Sequence, residues 1–340
     1  MSDIRLIVND LAYGGWQSIS VTKSIESLAG AFSLTAAEGG ADAQIEVEDE
    51  CRVDIDDDTI IDGHVERREV QITADSIRVG FSGYDKAQAL WANSVYLDGW
   101  AFRDANLRAF AKRLAGQFGI PVKVQPGLVL PNTAIKATVS PGESAFDALA
   151  IEAAKVGALL VSDGAGNLVI TRGGTDRTVD ALVEGGNILA GTSSTDGSER
   201  FRRYVVLASR PGSSESSAES LRVRAEAVDA GVLRSERIQV IRPSSAMTQA
   251  AARAHADWQS RTRAAQAEAL QITVQGWRQS SGDLWTVNRL VAVDAPTLRV
   301  SGDRLISEVT YTLDNDGGEL AILRLMRPDA FTPDRSAVTR

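Results

Sequence analysis

Val274-Gln275-Gly276-Trp277-Arg278, Gln279-Ser280-Ser281-Gly282-Asp283 and Leu284-Trp285-Thr286-Val287-Asn288 form one continuous stretch near the far end of the chain. It predicts a strand, a tight polar turn and a return strand. Ser-Gly-Asp is turn chemistry, because Gly accepts a positive φ and Asp bonds its own backbone. Trp277 and Trp285 flank the turn. Stacked across one face, they would pin the register of the hairpin. The plain physical reading is a buried aromatic pair in the wall of a β-barrel.

Outward from this stretch, composition sets bounds. A chain of 340 residues exceeds one ordinary core and suggests two to four modules. Hydrophobic residues make up 44% and charged residues 24%, which is globular and not disordered. No apolar run is long enough to span a membrane as a helix. Met1-Ser2-Asp3-Ile4-Arg5 has no basic segment followed by an apolar one, so no signal peptide is expected. A single cysteine, Cys51, excludes an internal disulfide and fits folding in a cytoplasm. The net charge of -9 argues against a general nucleic-acid binder, which would show a basic face. It leaves room for a surface that nucleic acid must pass without sticking.

Residues 4–95 alternate in short strands: Ile4 to Asp10, Gln17 to Val21, Ala31 to Ala36, Cys51 to Ile55, Thr59 to Val65, Val70 to Thr73 and Ser76 to Ser82. One helical turn is expected at Ser24 to Gly30. A helical stretch follows. Asp104 is placed to cap a helix bearing Leu107, Phe110, Ala111, Leu114 and Phe118, stopped by Gly119 and Pro121. Ser140-Pro141-Gly142-Glu143 has the form of a capping box, with Phe146, Leu149, Ala150 and Ala153 as the buried stripe and Gly157 as the stop. A hairpin then turns at Asp163-Gly164-Ala165-Gly166-Asn167.

Strands return at Phe201 to Ala208, Leu221 to Ala225 and Ile238 to Ile241. A flexible polar loop is expected at Ser213 to Ser217. The longest helix is expected over 245–269, with Met247, Ala251, Ala254, Trp258 and Ala265 on one face. Strands at Gln271 to Gln275, Val291 to Val293, Leu305 to Leu313 and Ala321 to Leu325 close the chain, with a last turn at Asp314 to Gly318 and a loose tail beyond Phe331. The fold class expected is α+β, mainly β: two antiparallel β-barrel domains with an inserted small α/β domain. The domains are placed at 1–98 (completed by 176–200), 99–175 and 201–331 (carrying helix 245–269), with 332–340 as a tail.

Catalytic chemistry is mostly missing. His64 and His255 are the only two histidines. Neither is set beside a nucleophile, so a His-based triad or a His-rich metal site is not expected. Cys51 lies in a strand with no activating neighbour. Asp54, Asp56 and Asp58 match the first ligands of a calcium loop, but Thr59 stands where Gly is needed and Val65 where the bidentate Glu should be. Gly164-Ala165-Gly166 leads into a strand and not a helix, so it does not form a phosphate loop. Carboxylates are plentiful, which keeps a glycosidase pair open. No cofactor is expected.

Four stretches in order carry a family resemblance: Asp62 to Arg68 with Ser82 to Lys86; Val139 to Phe146 with Leu159 to Gly164 and Gly166 to Leu168; Gly185 to Leu189 with Arg200 and Phe201; and Val274 to Arg278 with Leu284, Trp285 and Asn288. The chain resembles the baseplate hub proteins of contractile-tailed, Mu-like bacteriophages, related to the late control protein D family. The resemblance implies two tail-tube-like barrels per chain and a homotrimer, so that three chains present six similar barrels. It implies a structural hub and not an enzyme. The implied partners are a tail spike protein below, a tail tube or distal tail protein above, and baseplate wedge proteins around. DNA would pass through the lumen without specific binding, and no membrane is involved. It implies assembly in the host cytoplasm and residence in the tail baseplate of the virion. Gly276, Trp277, Arg278, Trp285 and Asn288 are then its structural signature. A tail-associated cell-wall-degrading enzyme and the hub of a tailocin-like injection machine are the alternatives. A tail hub must release DNA, so its inner wall is expected to be neutral to acidic.

Overall fold

Period-two alternation becomes paired strand over most of the described residues up to Asp85. In a computed structural model, which describes residues 3–36, 44–174, 176–209, 222–243, 247–314 and 318–331, β1 (Ile4–Val8), β2 (Leu11–Tyr13), β3 (Ser18–Ser24), β4 (Ala31–Ala36), β5 (Glu50–Ile55), β6 (Asp58–Ile72) and β7 (Ile77–Asp85) pair antiparallel in the order β3-β4-β7-β6-β5-β1-β2. Leu6, Val21, Leu34, Val53 and Phe81 point from alternate positions into one buried core. Ser24 to Gly30, expected as a helical turn, continues as bends, and the N–H of Ile25 donates to the Ser307 carbonyl at 2.8 Å.

The next unit has its own core around Phe102, Phe110, Leu114, Leu149 and Leu168. Its elements are α1 (Ala89–Ala92), β8 (Ala101–Asp104), α2 (Leu107–Gly116), β9 (Val122–Val124), β10 (Ile135–Thr138), α3 (Ala145–Val156), β11 (Leu159–Ser162) and β12 (Leu168–Thr171). Both expected caps shift. Asn106, not Asp104, caps α2 by accepting the Ala109 N–H at 3.1 Å. Ser144, not Ser140, caps α3 by accepting the Asp147 N–H at 3.0 Å. Glu143 does reach back to the Ser140 N–H at 2.7 Å, but in a turn ahead of the helix. Gly157 ends α3 in the left-handed region at φ 69°.

Two placements are corrected by strand pairing. Residues 176–200 do not complete the first strand-rich part. Their strands β13 (Asp176–Arg177), β14 (Leu182–Val183) and β15 (Ile188–Thr195) join β19 (Glu268–Gln275) and β20 (Arg289–Ala295) instead. Nor is 201–331 one barrel. Within it β16 (Arg203–Ser209), β17 (Arg222–Val228) and β18 (Ile238–Ile241) form a separate three-stranded sheet, order β17-β16-β18. The long helix, expected over 245–269, is α4 (Gln249–Gln266) and lies on that sheet. Its buried face is Ala251, Ala252, Ala256 and Ala265; Ala254 is exposed and Trp258 only half-buried. Alanines let the helix approach Val206, Val223 and Ala225 closely, so the small residues and not Trp258 mark the packed side.

β21 (Val300–Asp314) and β22 (Gly318–Met326) complete the strands. β21 pairs with β3, so the two strand-rich halves are hydrogen-bonded into one fourteen-stranded sheet. The fold is mainly β. Loop 213–217, turn residues 315–317 and tail 332–340 lie outside the described residues.

Candidate functional site

The stretch from Gly276 to Asn288 is where separate parts of the chain are tied together. β19 leaves the sheet at Gly276, whose φ of 76° suits a residue without Cβ and whose N–H donates to Glu319 O at 2.8 Å. Trp277 turns inward and is 1% exposed. Its indole N–H is shared between the carbonyls of Thr312 (3.1 Å) and Leu320 (3.0 Å). Its ring meets Tyr311 edge to face, with centroids 6.4 Å apart. Trp285 is also buried, and its N–H donates to Trp277 O at 3.0 Å. The Tyr311 hydroxyl donates to Trp285 O. Burial pushes the Tyr311 pKa up, which keeps that donor protonated.

The tryptophans therefore flank the turn as expected, but the ring partner of Trp277 is Tyr311, and the link to Trp285 is through backbone. The turn is closed by Gln279 N–H to Asp283 O (2.8 Å) and Gly282 N–H to Gln279 O (2.9 Å), with Gly282 at φ 90°. The return arm is one isolated bridge, Arg278 opposite Leu284, and not a regular strand. Regular pairing resumes only at Arg289. Side-chain bonds hold the loop where a strand was predicted.

Arg278 reaches across to the other half of the sheet. Its guanidinium donates to Asp56 Oδ2 at 2.9 Å and Asp58 Oδ2 at 2.8 Å, in the turn between β5 and β6. The Asp3 N–H first, with help from Arg278, holds the Asp56 carboxyl below its usual range against the opposing effect of burial. The triplet that resembled a calcium loop is thus committed elsewhere. Asp54 accepts from Arg52 Nε (3.0 Å) and Thr59 Oγ1 (2.9 Å). Among the described residues no cluster of His, Cys, Asp and Glu could hold a metal.

Asn288, at φ 64°, ties in a third part. Its side-chain oxygen accepts the Gly174 N–H at 2.9 Å, and its amide donates to Arg172 O (2.9 Å) and Thr171 Oγ1 (3.2 Å). Those residues end the α/β unit. Its own N–H donates to Ile306 O at 2.9 Å. Gly276, Trp277, Arg278, Trp285 and Asn288 thus contact β21, β22, the β5–β6 turn and the exit of the α/β unit.

A second joint escaped the sequence reading. The turn Asp163-Gly164-Ala165-Gly166 docks on β6. Asp62 N–H donates to Gly164 O at 2.6 Å, and a Cβ on Gly164 would stand 2.0 Å from Ile60 O. Lys23 donates to Asp163 O at 2.8 Å from a half-buried position, where lost solvation lowers its pKa. Lys86 pairs with Asp62 at 2.8 Å. Asp85 is buried and accepts the N–H of Gly30 (2.8 Å) and Ala87 (2.9 Å), while burial raises its pKa. The signal in sequence was the glycine pair, which reads only as a turn until its neighbour is known. His255 stacks on Trp258, and burial pushes the Cys51 thiol up to about 12. The raised pKa keeps the Cys51 thiol protonated.

Three family descriptions match successive parts of the chain. Residues 3–85 match the N-terminal domain of Mu phage baseplate assembly protein GpP-like proteins, 87–172 the second domain of baseplate hub protein gp44-like proteins, and 248–334 the fourth domain of Mu phage baseplate assembly protein GpP. Baseplate hub protein gp44 of Escherichia phage Mu is 30% identical over 324 residues, covering 93% of this chain and 85% of that protein. The 43 kDa tail protein of prophage MuSo2 from Shewanella oneidensis is 28% identical with a TM-score of 0.85, over 97% of this chain and 99% of that one. A tail protein of Neisseria meningitidis MC58 shares the fold at a TM-score of 0.81 and 21% identity, over 98% and 99% of the two chains. The chain belongs to the family of Mu-like phage baseplate hub proteins, structural proteins of the tail baseplate and not enzymes.

Proposed function

We propose that three copies of this hub close into a ring at the centre of the baseplate, each copy giving two tube-like barrels from its two strand-rich halves. The ring has pseudo-sixfold symmetry. It takes the tail tube or distal tail protein above and the spike below, with wedge proteins around it and DNA passing through. Assembly takes place in the host cytoplasm. One observation carries the reading. β15 is an end strand of the fourteen-stranded sheet, eight residues long and exposed along nearly its whole length. A free edge of that length is a template for pairing and is normally covered. A rotationally related copy covers it at every position of a closed ring. The joint at Arg278 supports the same reading, because its bonds to Asp56 and Asp58 tie the second half to the first, and the joint at Gly164 holds the α/β unit on the first half. In this reading Gly276, Trp277, Arg278, Trp285 and Asn288 are the structural signature of the hub.

Light scattering of the full chain, alone and mixed with its spike protein, tests the ring. The expected mass is three times the 36.3 kDa chain. A monomer under both conditions would refute it.

A further inference from the structure

One apolar sheet face has no cover among the described residues. Helix α4 packs against one side of the sheet β17-β16-β18, where Val206, Val223 and Ala225 meet its alanines. Alternation turns Leu207, Val228, Ile238 and Val240 to the other side, and each is between 41% and 56% exposed. The registers set them close together. Arg203 stands opposite both Val228 and Ile238, and the buried Val205 stands opposite Val240. Large aliphatics grouped on one exposed face mark a docking site and not an ordinary solvated surface.

The charges on that face are lopsided. Glu226, the only acidic residue in the three strands, accepts both arms of Arg203, one of them at 2.8 Å. Arg224 reaches the same carboxylate only at 3.9 Å. Arg222 on β17 and Arg242 just past β18 pair with no carboxylate among the described residues. Arg222, Arg224 and Arg242 gather at one end of the sheet, because β16 runs parallel to β18 and antiparallel to β17. The two sheet edges also differ. Side chains of α4 block the edge at β17, where Gln249 donates to Arg224 O at 2.7 Å and Arg253 to Glu226 O. β18 pairs with β16 and has no strand on its far side among the described residues.

We propose that this face and the open edge of β18 dock an extended segment of another protein, with apolar side chains at alternate positions and an acidic end. The backbone of the segment pairs with β18, and its apolar residues cover Ile238 and Val240. Its carboxylates cross the face over Arg242, Arg224 and Arg222, which have charge to spare. Nucleic acid suits the arginines less well, because phosphates alone would leave four aliphatics and a strand edge in water. The docking does not require ring closure.

The test uses tail particles containing the full-length chain. A photo-crosslinking p-benzoylphenylalanine is placed at Val240 and, for reference, at Val129, which is 83% exposed in the α/β unit. Val240 is expected to crosslink another protein of the particle, at a segment with alternate apolar residues and a run of Asp or Glu at one end. Val129 is expected not to reach that segment. The proposal is overturned by no crosslink at Val240, or by one to DNA, to a second copy of this chain, or to a segment without that pattern. Equal capture of the segment at Val129 overturns it too. The mapped segment is then made as a peptide, and its Kd for the purified full chain is measured. Arg222→Glu combined with Arg224→Glu is expected to weaken binding at least about tenfold at low salt. An unchanged Kd overturns the proposal. If the double variant does not fold, Arg242→Glu alone is read by the same assay, because Arg242 is exposed.

Discussion

Trp277 shows how one residue can hold a joint without touching a ligand. It fills core volume, and its single donor serves two carbonyls of β21 and β22. Trp277→Ala is expected to lower stability by about 3–5 kcal/mol, read as a shift in the denaturant midpoint at constant slope. Trp277→Phe restores apolar volume but leaves Thr312 O and Leu320 O without that donor, so it should recover only part of the loss. An alanine variant that melts with the wild type would show that the loop is not part of the core. Cys51 gives a simpler reading. Burial, with Asp62 and Asp49 nearby, pushes its thiol up to about 12, so at pH 8 the folded protein should react with a thiol reagent far more slowly than the unfolded chain. Equal rates would show that the β5 strand opens readily.

Among elements, helix α3 and the docked turn make separate claims. Ser144 caps α3, so Ser144→Ala should cost about 0.5–2 kcal/mol. Asn106→Ala should likewise cost about 0.5–2 kcal/mol, and more than Asp104→Ala, because Asn106 caps α2 whereas the Asp104 carboxylate only faces Arg113 at 3.6 Å. A reversed order in thermal melts would restore the original assignment of caps. The turn at Gly164 is less tolerant. It sits at φ 80°, and a Cβ would meet Ile60 O at 2.0 Å, so backbone must move. Gly164→Ala should cost at least about 1–3 kcal/mol and raise hydrogen exchange at Asp62, whose N–H bonds Gly164 O. Unchanged exchange at Asp62 would mean that the α/β unit is not anchored there.

For the whole molecule, acid is the informative variable. Asp163 and Asp229 both lose solvation, which raises their pKa values, yet bonds from Lys123 and Asn167 to Asp163, and from Arg200 and Gly231 to Asp229, hold both below the usual range. A carboxylate depressed in the folded state stabilises above its unfolded pKa of about 3.9, and that contribution is lost as pH falls through the lower folded value. Asp85 runs the other way: its raised pKa makes the charged form unfavourable in the fold, and acid relieves it. The melting temperature is therefore expected to fall below about pH 4, and Asp229→Asn should be less stable at pH 7 with a flatter acid limb. An acid limb unchanged in that variant would place the sensitivity elsewhere.

Much was legible from the residues alone. Alternation located the strands of the first half, Gly157 the end of α3, and the glycines the turns, because these depend on local backbone preference and on which side chains avoid water. Trp277 and Trp285 were readable as core for the same reason. Tertiary structure decided the rest. That Arg278 bonds Asp56 and Asp58 spans more than two hundred residues of sequence, and that Asn288 holds Gly174 spans more than a hundred, so no local pattern could show either. The same holds for strand partners. Residues 176–195 alternate too weakly to choose a neighbour, and their place beside β19 and β20 follows from edges that exist only once the sheet is formed. Sequence alone determined most of the strand segments and many of the core residues, but not the loop at 284–288 or the packed side of α4. Which strand each one meets was settled by hydrogen-bond edges and buried volume that only the folded chain brings together.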